Sequence, residues 1–445
     1  MSLHDLQRLE RALQEAEPLL VQGRVLRISG LIVEATLPTV PVGTGCEIAA
    51  AGGRRVLAEV VGFNGSTALL VPFGDLHGIS SGAAVAPRAS ALEIAVGEEL
   101  LGRVVDPSSR PVDGGPLPLL RARAALNAAP PAAMSRRRIS RPVSLGVKCI
   151  DALLCMGEGQ RMGILAGPGV GKSVLLGMVA RHADADVIVV GLIGERGREV
   201  REFVERDLGP GLARSVVVVA TADEPPLVRI RAALAATAVA EHFRARGKRV
   251  LLLLDSLTRV AMAQREIGLA AGEPPASKGY PPSVFAMLPR VLERAGNDAG
   301  PGSITGLYTV LASGDDLTDP VVDCAKAALD GHIVLSRRLA GSGHFPAIDV
   351  LQSISRVMTD VAPAPQVELA VTARELLASY DEAKDLIEVG AYVAGSNPRT
   401  DRAIACAPAL RAFLRQPSEE KVPLAQALEL LRRAISPPPA QEKRS

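Results

Sequence analysis

Residues 163–200 read GILAGPGVGKSVLLGMVARHADADVIVVGLIGERGREV. An apolar run closes in a glycine-rich turn ending Lys-Ser, and the helical pattern SVLLGMVARH follows. Strand, turn and helix in that order form the setting in which a loop cradles phosphate. The glycines let backbone N–H groups converge on phosphate oxygens at a helix start, where the helix dipole also favours negative charge. Gly167, Pro168, Gly169, Val170, Gly171, Lys172, Ser173 and Val174 are therefore the expected cofactor-binding residues. Lys172 is placed to reach β- and γ-phosphates, and Ser173 to ligate Mg²⁺. Ala166 stands where the first glycine of such loops is usual; it adds only a methyl group.

Two carboxylates join this loop. RVLLLLDSLTR, residues 249–259, is a buried-strand pattern closed by Asp255, positioned as the acid that holds the Mg²⁺ water shell. Glu195 follows DVIVVGLIG, at a strand end where ligands of α/β sheets bind. A carboxylate there can polarise water for in-line attack on a γ-phosphate. Its neighbours Arg196, Arg198 and Glu199 leave a surface ion-pair cluster open as the alternative.

The surrounding pattern sets the architecture. RMGILAG, DVIVVGLI, SVVVVAT, RVLLLLD, SITGLYTVL and HIVLS alternate with helical stretches between residues 145 and 360. Each is apolar on both faces, as in a parallel sheet covered by helices on either side. Upstream, about residues 23–87, short β-type runs punctuated by Gly and Pro predict a small all-β barrel or sandwich. A turn-rich connector, an Ala/Pro-rich stretch at 124–133 and a basic run at 135–141 follow, the last read as a solvated linker. Beyond Pro365 the chain reads as helical, with a frayed tail. At the N-terminus Leu3, Leu6, Leu9 and Leu13 recur at helical spacing. That helix either folds back on its own domain or docks a partner.

Composition narrows the class. The 445 residues suffice for two or three domains, with 48% hydrophobic but only 2% aromatic residues and no Trp; the core must rest on aliphatic side chains. A net charge of +2 excludes a bulk polyanion binder. Five scattered Cys without metal-ligand spacing fit thiols in a reducing compartment. No stretch approaches the ~20 apolar residues of a membrane span, and residues 1–20 lack a signal-peptide core. These features predict a cytoplasmic protein.

The loop, VGLIGERGREV, residues 251–297, LDGHIVLSRRLAGSGHFPAIDVLQSISRVM and VGAYVAGSNP together resemble the protein-export ATPases of type III secretion, within the rotary ATPase α/β superfamily. The resemblance runs from about residue 20 onward and includes LGRVVDPSSRPVDG in the connector. AMAQREIG and YTVLASGDD point to the flagellar branch, with the virulence injectisome enzyme as the alternative and a proton-translocating rotary synthase subunit as a further one. An RNA translocase sharing the motor core would need stacking aromatics in its N-domain; the first hundred residues hold only Phe63 and Phe73.

The resemblance implies a RecA-like P-loop NTPase core with an N-terminal small β-barrel and a C-terminal helical domain. Its domains would be a docking helix 1–20, barrel 21–92, connector 93–144, ATPase domain 145–362, helical domain 363–436 and tail 437–445. It implies ATP and Mg²⁺ as cofactors and a catalytic set of Lys172, Glu195, Arg196, Asp255, Arg259 and Arg356. Glu195 would orient water, Arg259 would couple its strand to the γ-phosphate, and Arg356 would be an arginine finger for a neighbouring subunit. Phe345 and Tyr392 would line the adenine pocket. Implied partners are a homo-hexamer, a stator-like regulator at the N-terminal helix, a central stalk protein, export chaperones and substrates, and a membrane export gate. No nucleic-acid partner is expected. The site of action would be the cytoplasmic face of the inner membrane.

Overall fold

The computed structural model describes residues 22–37, 40–88, 93–312, 316 and 318–436. The expected helix over 1–20 and the tail 437–445 lie outside the described residues. The chain divides into two compact units.

The first contains six antiparallel strands, β1 (Gly23–Ser29), β2 (Ile32–Thr36), β3 (Gly45–Ala49), β4 (Arg55–Asn64), β5 (Thr67–Pro72) and β6 (Ala84–Arg88). They close in the order β1-β2-β5-β4-β3-β6. Closure decides for the barrel over the sandwich, because β6 pairs back onto β1 and leaves no edge. Alternation drives it: Val56, Ala58 and Val60 point inward while Arg55 and Leu57 face solvent. Small interior residues such as Ala35, Ala58 and Ala68 let six strands meet around a narrow core of Val25, Val33, Ile48 and Leu70.

In the second unit β7 (Glu93–Val96) pairs with β9 (Ala122–Ala125), and β8 (Arg103–Val105) joins the main sheet. The rest of that sheet is β10 (Arg161–Ala166), β11 (Val187–Glu195), β12 (Ser215–Thr221), β13 (Arg249–Asp255), β14 (Gly296–Asn297), β15 (Ser303–Leu311), β16 (Gly331–Leu335) and β17 (Ile348–Ser355). Its order is β17-β16-β10-β15-β13-β11-β12-β8, with the short β14 paired to β15. All six strands expected from the sequence form. From β16 across to β8 the pairing is parallel, and β17 runs antiparallel on one edge. β11 is buried from Val187 to Gly194, as helices on both faces require.

Two readings of the connector change. β8 pairs in register with β12 through Val216↔Arg103 and Val218↔Val105, so the connector supplies the far edge of the sheet. Nor is the basic run wholly solvated. Arg136 donates to the carbonyls of Ala295 and Glu293, and Arg137 to those of Asp298, Pro301 and Gly302. Carbonyls left without a sheet partner at that turn take up the guanidinium donors.

The C-terminal helices span Ala364–Glu388, Pro398–Leu414 and Leu424–Ala434. In the first, Ala370, Ala373, Leu376 and Ala383 are buried, the spacing of one helical face.

Candidate active site

β10 ends at Ala166, and the turn 167–171 leads into the helix Lys172–His182. Ala166 is buried and its carbonyl accepts from Ala312 N–H at 3.0 Å, so the absent glycine leaves no misfit. Gly171 caps the helix at φ 87°, a left-handed conformation that a side chain disfavours. Pro168, Gly169, Ser173 and Val174 are exposed while Gly167 and Val170 are buried. The loop thus presents the free N–H groups of the helix's first turn to solvent.

Sheet order brings the charges together. β15 lies between β10 and β13, and β11 flanks β13, so the C-terminal ends of these strands form one rim. Lys172 Nζ bridges that rim, 2.5 Å from Asp255 Oδ1 and 3.2 Å from Glu195 Oε1. Asp255 Oδ1 also accepts from Thr309 Oγ1 at 2.7 Å. Asp255 is 3% exposed, and both partners of a buried ion pair need such extra bonds to offset desolvation.

Glu195 is aimed by its backbone. The register of β11 against β12 slips between Ile193 and Glu195, and Gly194 takes φ 71°. A bulge of this kind turns the next side chain toward a site. A Cβ on Gly194 would stand 3.0 Å from the methylenes of Arg259, which fixes that arginine against the same turn. Arg259 Nε is buried without a hydrogen-bond partner, a donor suited to an anion.

Burial raises the Glu195 carboxyl above its ordinary value, with nearby Asp255 adding to it and Lys172 opposing. Lys172 remains raised although burial disfavours its charge, because Asp255 and Glu195 outweigh that cost. Glu199 hydrogen-bonds Glu195 and is lowered: burial would raise it, but that bond and the Arg196 amide prevail.

The remaining expected residues divide. Phe345 belongs here, since its ring lies 3.4 Å from where a Gly171 Cβ would be. Arg196 faces outward, its side chain 79% exposed and paired with Glu199 at 3.5 Å. Arg198 and Arg201 pair similarly along the same helix, so the surface-cluster alternative describes the arginines but not Glu195. Tyr392 is not brought to the site. Its hydroxyl bonds the Asp401 carboxylate at 2.9 Å and the Asn397 carbonyl at 3.2 Å, before the start of Pro398–Leu414. The other end of that helix reaches Phe345, and 17 residues span about 25 Å.

Arg356 also stands apart. It follows β17, whose Ser355 pairs with Gly331 at the N-terminal end of the parallel strands. It is exposed and donates to the Lys326 carbonyl at 3.2 Å. At about 3.3 Å per residue it lies roughly 15 Å below the phosphate-loop end of β10.

Thr309 has no signal in the sequence, and Glu199 enters there only as part of the surface ion-pair alternative. Thr309 sits inside an apolar strand, and only the register Leu254↔Tyr308 places it beside Asp255.

A phosphate loop whose lysine meets a strand-end aspartate across an intervening strand, with a carboxylate on the next strand over, defines a P-loop nucleoside triphosphatase. Residues 146–355 match the nucleotide-binding domain of the ATP synthase alpha/beta family, 25–88 its beta-barrel domain, and 362–433 the C-terminal domain of the type III secretion ATPase EscN. The chain is 52% identical over 417 residues to the flagellum-specific ATP synthase of Pseudomonas aeruginosa, covering 93% of this chain and 92% of that protein. It is 51% identical to a type 3 secretion system ATPase of Sinorhizobium fredii, covering 90% and 89%. It superposes with a TM-score of 0.85, at 42% identity and covering 93% and 100%, on assembled EscN of enteropathogenic E. coli in complex with its central stalk EscO. The chain belongs to the type III secretion and flagellar export ATPases of the rotary α/β superfamily, and is an ATP-hydrolysing enzyme. No described helix is long and apolar enough to cross a membrane.

Proposed function

We propose that copies of this chain assemble into a homo-hexameric ring in which neighbours share each ATP pocket. One copy lends the phosphate loop, Lys172, Glu195 and Asp255; the next lends Arg356. The observation that carries this is the place of Arg356: exposed on the edge strand, at the far end of the sheet from its own loop. A guanidinium there cannot touch its own γ-phosphate, whereas packing at the β17 edge can offer it to a neighbour's.

In each pocket Lys172 leaves its carboxylate partners to meet phosphate oxygens. Ionised Glu195 then orients the attacking water, Arg259 and the incoming Arg356 take up negative charge on the γ-phosphoryl group, and the Phe345 ring packs against adenine. Arg196 acts only through Glu199, since it faces solvent.

The residues fit Mg²⁺. Ser173 and Asp255 are hard oxygen donors, and Mg²⁺ takes only one or two protein ligands beside phosphate and water. No group of three potential metal ligands among the described residues is therefore required. Two carboxylates facing one ammonium leave negative charge that a divalent ion balances. Bound with ATP, the metal would draw charge from the β- and γ-phosphates.

The work is protein export: release of substrates from chaperones and their delivery to a membrane gate, with a central stalk in the ring and a stator-like regulator on residues 1–20, at the cytoplasmic face of the inner membrane. The C-terminal domain match at 362–433 favours export over a synthase subunit. Flagellar and injectisome relatives match almost equally, so phenotype assigns the branch. A deletion strain that cannot swim makes it flagellar, and one that swims but secretes no effectors makes it the injectisome enzyme.

The shared pocket is tested by mixing Lys172→Ala protein with Arg356→Ala protein, each inactive alone. Turnover should return in the mixture. No turnover in demonstrably mixed rings overturns the proposal.

A further inference from the structure

Gln416 is 4% exposed, and its backbone N–H and both polar atoms of its side chain are hydrogen-bonded. Its backbone N–H donates to the Phe345 carbonyl at 3.0 Å. Its side-chain Oε1 accepts from Lys148 N–H at 2.8 Å, and Nε2 donates to the carbonyls of Gly146 and Glu420, each at 2.8 Å. Exchanging O and N would set the amide group against a donor and the oxygen against two carbonyls, so the orientation is unique.

These bonds reach both ends of the phosphate-loop helix. At the front, the Phe345 ring lies over Gly171. At the back, Gly146 packs so closely on His182 that a Cβ would stand 2.4 Å from that residue's own Cβ. Arg181 Nη2 donates to the Ser418 carbonyl at 2.7 Å, two residues past Gln416. Gln416 itself follows the helix Pro398–Leu414, whose Phe413 carries Lys148 Nζ 5.9 Å above its ring. The side-chain amide therefore pins this segment to Gly146, Lys148 and Glu420, at the base of the loop's helix, and the backbone N–H of the segment so fixed holds the main chain of Phe345.

We infer that Gln416 is a positioning residue of the nucleotide site. It holds Phe345 over the phosphate loop as a platform for the base and makes the seating of that base felt by the C-terminal helices. The inference rests on the reading that the loop binds ATP with its base on Phe345. None of its hydrogen bonds is to the loop residues 167–173 themselves, so its loss should weaken base binding more than phosphate binding.

The test uses the full chain with Gln416→Ala and with Gln416→Met, which keeps length and volume and serves if the alanine variant does not fold. KM and kcat for ATP are measured beside the Ki of inorganic tripolyphosphate, which has no base. KM for ATP should rise about tenfold, more than kcat falls, while the Ki stays within about twofold of wild type. Phe345→Ala should raise KM similarly, and the double variant should be no worse than Phe345→Ala alone, as residues acting through one contact behave. Equal weakening toward ATP and tripolyphosphate, or an unchanged KM for ATP, overturns the inference. Wild-type protein that fails to bind ATP sinks the underlying reading with it; wild-type affinity retained in the variants sinks the inference alone.

Discussion

At the C-terminal ends of β10, β11 and β13, charges answer one another within the chain: Lys172 meets Asp255 and Glu195, and Thr309 supports Asp255. At the opposite end, beyond β17, Arg356 meets a carbonyl and, among the described residues, no carboxylate. A cation on an exposed sheet edge without an anionic partner is available to something outside the fold. One end of the sheet is a site closed on itself; the other, in the reading proposed above, offers its cation to another copy.

Variants at the closed end can break this contrast. Glu195→Gln should lower kcat about 10³-fold, because the amide cannot accept a proton from water, while nucleotide binding and ring assembly persist. Steady-state turnover beside size measurement checks it, and full activity in the glutamine variant would remove Glu195 from the chemistry. Thr309→Val keeps the shape and removes the hydroxyl that bonds Asp255. The loss of a hydrogen bond to a charged group should cost about tenfold in kcat/KM, with Ser at this position restoring most of it.

The smallest effect is a shift in pH dependence. Glu195 acts ionised, and burial and Asp255 place its titration above the ordinary glutamate value; activity therefore falls as pH drops through that raised value. The bond with Glu199 contributes to the raising. Glu199→Gln replaces a proton-accepting partner by an N–H donor that favours the ionised form, so the acid limb of kcat should move to lower pH. A limb that stays in place, or moves up, would detach Glu199 from the site.

Legibility from sequence followed range. The phosphate loop, Asp255 and Glu195 were readable because each lies at the end of an apolar run, where period and punctuation are local signals. Phe345 was reached only through the family resemblance. Thr309, a β-branched residue inside an apolar strand, and Gln416, a polar residue after a helix, carry no local mark of their contacts. The basic run reads as solvated because charge usually is, yet its carbonyl partners lie more than 150 positions away. Tyr392, in the stretch VGAYVAG, is an aromatic among glycines and alanines, a composition signal that carries no information about distance.

The sequence by itself determined the strands, the loop and the carboxylates at their ends, since hydrophobic period and backbone stereochemistry act over a few residues. Only the tertiary structure decided that β15 lies between the loop strand and Asp255, that Arg356 stands at the far end of the sheet, and that Gln416 reaches Phe345. Those depend on which strands pair and which helix ends meet, and packing of the whole chain sets them rather than any local stretch.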